Sequence, residues 1–115
     1  MGDRATVQLV DNRGEYSPIL YAHWAGDRVP DILKTAAPLM RAGDISYAFA
    51  RMVGVFHNET DPKQGLSLGV YEASGVQGCD DQGDNGHFEV NVDTGNVKRF
   101  GGYTGDMGDL TLGRF

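Results

Sequence analysis

The chain has 115 residues, a net charge of −6 and 40% apolar content, with Cys79 as its single cysteine. That length suits one domain, residues 1–115, whose core needs no metal or disulfide staple, and a lone cysteine excludes an internal disulfide. Its basic residues are scattered singly apart from Lys98-Arg99, which argues against a phosphate-tracking surface and against direct nucleic-acid binding.

The first predicted strand runs from Arg4 to Val10, with Ala5, Val7 and Leu9 on one side and Thr6, Gln8 and Val10 on the other. Asp11-Asn12-Arg13-Gly14 is a turn cluster in which Gly14 is free to take positive φ. Pro18 sits near the start of the second strand, where a missing amide is tolerated. That strand continues from Ile19 to Trp24 and carries large groups on both faces, which predicts a central position or a second face used by something else. The two strands should pair as a hairpin.

Apolar spacing then becomes helical. Asp27 is a candidate cap and Pro30 fits the first turn, followed by Val29, Ile32, Leu33 and Ala36 along one stripe. Pro38 should end or kink this helix near Ala37. Asp44 or Ser46 is placed to cap a second helix. Its stripe is Ile45, Ala48, Phe49, Met52, Val53 and Phe56, with Arg51 off it. Gly54 lowers helix propensity there, so the sequence suggests close packing at that point.

Alternation returns at Leu66, Leu68 and Val70, with Gly69 leaving room on the other face. Residues 75–86 form a turn-rich loop with Cys79, Asp80, Asp81 and Asp84. Phe88, Val90 and Val92 point inward from a further strand, and Asp93-Thr94-Gly95-Asn96 signals a hairpin into Val97–Phe100. Leu110 to Phe115 offers one more short strand. The fold expected is α+β: an antiparallel sheet of about five strands, with two helices inserted after the second strand and packed on one face.

The charge is uneven. Residues 1–60 carry 6 Lys/Arg against 7 Asp/Glu, and residues 61–115 carry 4 against 9. Such a balance serves solubility, or it forms an acidic face for a basic partner. No metal is expected. His23 and His57 stand alone in sequence, and Cys79, Asp80, Asp81 and His87 lack a paired ligand motif. The oxygen-rich stretch from Asp80 to Asn85 departs from the spacing of a calcium loop, so it reads as a solvated turn. No phosphate loop or other cofactor signature is present. Carboxylates beside Cys79 disfavour a thiolate there. The residues from Met1 to Thr6 lack a basic run followed by an apolar one, and no apolar stretch is long enough for a bilayer. A cytoplasmic location without membrane contact is therefore expected. Gly2 and Thr6 meet a myristoylation pattern only weakly.

Three segments carry a resemblance: Tyr16 to Trp24, Ser46 to Arg51, and Leu66 to Val70. Together, across residues 4–72, they resemble small proteins of bacterial genomes and mobile elements that have no assigned activity. The resemblance implies no catalytic residue. In size and charge the chain is similar to acidic phage and mobile-element proteins, which include inhibitors of host defence complexes.

Three functions follow as expectations. The first is a non-catalytic module that binds a basic protein surface. Its contact residues would be Tyr21, Trp24, Arg28 and Tyr47 as anchors, with Asp80, Asp81, Asp84 and Asp93 as the charged set. The second is a small enzyme or ligand-binding domain with a pocket between the second helix and the sheet, using His23, Arg51 and His57. The third is a homo-oligomer, a homodimer in its simplest form, joined through exposed faces of the second strand.

Overall fold

The computed structural model describes residues 4–22, 28–41, 43–59, 68–71, 86–100 and 110–111. Its elements are β1 (Ala5–Val10), β2 (Tyr16–Ala22), α1 (Val29–Ala36), α2 (Ile45–Glu59), β3 (Leu68–Tyr71), β4 (His87–Asn91), β5 (Asn96–Phe100) and β6 (Leu110–Thr111). The α+β architecture expected from the pattern is present, with both helices inserted after β2. The six strands lie in the order β3-β2-β1-β4-β5-β6.

One pairing departs from an all-antiparallel sheet. β1 and β4 run parallel, with Thr6 beside His87 and Leu9 beside Val90. Parallel pairs favour strands covered on both faces, and every residue from Ala5 to Leu9 is buried. Turn signals report only strands adjacent in sequence. They say nothing about two strands separated by both helices.

The hairpin β1–β2 closes through Asp11. Its Oδ1 accepts the amides of Arg13 and Glu15, each at 2.9 Å, while Gly14 takes φ +85°. A register shift falls between Gln8 and Val10. There the Leu9 amide donates to the hydroxyl of Ser17 at 2.8 Å, so a side chain replaces the ladder acceptor displaced by the bulge. β2 lies between β1 and β3, and its Ser17, Ile19, Leu20 and Ala22 are buried. Tyr16 and Pro18 of the same strand are exposed.

Arg28 occupies the N-cap position of α1 and makes no side-chain cap bond; Asp27, the expected cap, lies outside the described residues. Val29, Ile32, Leu33 and Ala36 are buried along one stripe. Pro38 acts as its chemistry requires, because α1 stops at Ala36 and a 3-10 turn covers Ala37–Leu39. α2 is capped by Asp44, whose carboxylate accepts the Tyr47 amide at 3.1 Å.

Ala48, Met52, Val55 and Phe56 of α2 complete a core with Val7, Leu9 and Leu20, and with Phe88, Val90 and Val97. Gly54 corrects the expectation of close packing. It is exposed, and a Cβ there would meet nothing within 4 Å.

The sheet's other face buries a polar group at its centre, beside Ile19, while Asn96 and Lys98 on β5 are exposed. Thr6, Gln8, Ser17 and His87 are each no more than 2% exposed. Thr6 Oγ1 and His87 Nδ1 lie 2.8 Å apart, and Gln8 Nε2 donates to the Ser17 carbonyl at 2.9 Å.

Candidate functional site

The chemistry that gathers at the surface sits where the chain enters α2. Asp44 fixes the helix start, so Tyr47 falls in the first turn and Arg51 one turn further along the same side. Arg51 Nη2 donates to the Tyr47 hydroxyl, and its guanidinium carbon lies 4.8 Å from the centre of the Tyr47 ring. Arg41, just past the 3-10 turn, places its own guanidinium carbon 4.4 Å from the same centre. Two cations thus share one aromatic ring, each held by the ring quadrupole. Both arginines are exposed and the tyrosine is half-buried.

The sequence pattern singles out Tyr47 and Arg51 but not Arg41. Their i, i+4 spacing marks them as neighbours on one side of the helix; Arg41 lies before the helix, where no such spacing applies.

The other expected site residues are dispersed. Tyr21 pairs with Thr6 on the face opposite α2, and a Cβ on its neighbour Gly69 would sit 4.0 Å from the Tyr21 ring. Arg28 is exposed at the start of α1, and His57 is exposed in the last turn of α2. Arg51 and His57 are six positions apart, about 9 Å along the axis and on different sides of the helix. The inner side of α2, where a pocket was expected, holds Ala48, Met52, Val55 and Phe56 packed in the core. His23, Trp24, Asp80, Asp81 and Asp84 lie outside the described residues.

Asp93 does not stand free. Its Oδ2 accepts the Asn12 amide at 2.8 Å, and its Oδ1 accepts the Gly43 amide at 3.2 Å. Asn91 joins the same corner, donating to Asn12 Oδ1 at 3.1 Å and accepting the Asp93 and Thr94 amides. Asp93 therefore ties three turns together.

A shallow depression of about 170 Å³ lies elsewhere, lined by Val10, Glu89, Asn91, Thr94, Asn96 and Lys98. Glu89 and Lys98 are cross-strand partners there. Among the described residues no group of three His, Cys, Asp or Glu is placed to hold a metal ion. No described helix is long and apolar enough to cross a membrane.

Comparison of the chain with family models, with curated proteins and with solved structures finds no match in any of the three.

Proposed function

We propose that the protein is a non-catalytic binding module that meets a basic surface on a partner protein. The observation that supports this reading best is the position of the contact-capable side chains. Tyr47 and Arg51 occupy the outer side of α2, while its inner side is filled with core residues. Chemistry on a convex helical face suits a broad protein contact more than an enclosed small-molecule site.

Charge supplies the second part of the reading. The surplus of carboxylates in residues 61–115 would draw in a basic partner and raise its association rate. Asp80, Asp81 and Asp84 are its proposed charged set, with Tyr47 as an anchor. A protein that grips nucleic acid carries such a basic groove. In this proposal the module acts by occlusion, as a phage or mobile-element inhibitor of a nucleic-acid-handling complex.

The test is affinity capture from an extract of the source cells, followed by association kinetics with the captured protein. Replacing Asp80, Asp81 and Asp84 together by asparagine should slow association about tenfold at low salt and flatten its salt dependence. An unchanged rate, or a captured partner without a basic face, would remove the proposal.

A further inference from the structure

The paired guanidiniums at the start of α2 are unusual in this chain. Acidic residues outnumber basic ones 16 to 10, so carboxylate partners are plentiful. Arg13 takes two of them, Asp11 at 3.6 Å and Glu15 at 3.7 Å. Arg41 and Arg51, in contrast, have no carboxylate partner among the described residues. Arg51 spends one donor on the Tyr47 hydroxyl, and Arg41 makes only its ring contact. An arginine carries five N–H donors, so several in the pair have no partner among the described residues.

We infer that Arg41, Tyr47 and Arg51 form a receptor for a carboxylate side chain of an acidic protein segment. Contact with one ring holds the guanidinium carbons 4.4 Å and 4.8 Å from its centre before any ligand arrives, which lowers the ordering cost of binding. The planar forks match carboxylate oxygens, which accept two parallel N–H bonds.

Asp44 selects among anions. Its carboxylate caps the helix at Tyr47 and so places a fixed negative charge beside the receptor. A dianionic phosphate meets more repulsion from it than a singly charged carboxylate does. The exposed, convex setting selects a protein segment over a small free acid, because it encloses no ligand. This surface is opposite in sign to the acidic segment of the proposed function and shares with that reading Tyr47 and Arg51.

The test uses the full chain, labelled with 15N, and an end-blocked hexapeptide of glutamate as probe. The peptide should shift the Nε–Hε signals of Arg41 and Arg51 in a saturable way, and added salt should weaken the effect. An Arg41→Gln, Arg51→Gln double variant should bind about tenfold more weakly. Both side chains are exposed, so its circular dichroism should match the parent. Tyr47→Phe should keep most of the binding, since the ring remains. Hexaglutamine should produce no shift. The inference is overturned if hexaglutamate gives no saturable shift, if the double variant binds it equally well, or if inorganic phosphate or a phosphorylated peptide binds more tightly. Capture of a basic partner through Asp80, Asp81 and Asp84 is read separately, so either idea can fail while the other stands.

Discussion

Asp11 illustrates how a single carboxylate organises a turn. It is buried although its charge is kept, because two amides and a guanidinium surround it. Its pKa is lowered, first by the hydrogen bond from the Glu15 amide, with Arg13 adding its amide and its charge, while burial pulls the other way. The folded state therefore holds a proton here less readily than the unfolded chain. The stabilisation is complete above the ordinary carboxylate range, near pH 4, and is lost as pH falls through the lowered value. Asp11→Asn should flatten the acid limb of the stability curve, measured by urea unfolding from pH 7 down to about pH 3. An acid limb equally steep in the variant would assign that sensitivity to other carboxylates.

At the scale of an element, α2 shows which of its residues serve the helix and which serve the core. Asp44 satisfies an amide that the first turn would otherwise leave open. Ala48, Met52 and Phe56 recur at intervals of four and turn one stripe toward the sheet. Gly54 lies off that stripe in open space, so its small size answers no packing need. Gly54→Ala should therefore raise stability by about 1 kcal/mol through helix propensity and lower unfolded-state entropy. Thermal unfolding would register this as a midpoint a few degrees higher. A lower midpoint would mean that the position needs glycine for a contact beyond the described residues.

At the scale of the molecule, a single apolar layer joins the helices to the central strands. Phe56 is the largest fully buried side chain among the described residues, and it packs in the same cluster as residues of β1, β2 and β4. Its truncation removes apolar contact and leaves a cavity that the surrounding side chains fill only in part. Phe56→Ala should cost about 3–5 kcal/mol, read as a lower urea midpoint at an unchanged slope. A loss below about 1 kcal/mol would mean that α2 is not part of the cooperative core. The opposite face of the sheet follows a different rule. Its buried Thr6, Gln8, Ser17 and His87 are linked by hydrogen bonds, so its cohesion depends on directional contacts as well as on area.

The local grammar of the chain was legible without any tertiary information. Helical spacing from Val29 to Phe56, the break at Pro38, a cap at Asp44 or Ser46 and the positive φ of Gly14 each follow from interactions within a few residues. Four outcomes required the folded chain: the parallel pairing of β1 with β4, the use of Asp93 as a tie between three turns, the openness around Gly54 and the arrival of Arg41 at the Tyr47 ring. Each joins or separates groups according to how whole elements pack. Periodicity records which side of an element is apolar; it carries no record of which element lies against that side, and that choice is made by the burial of the complete core.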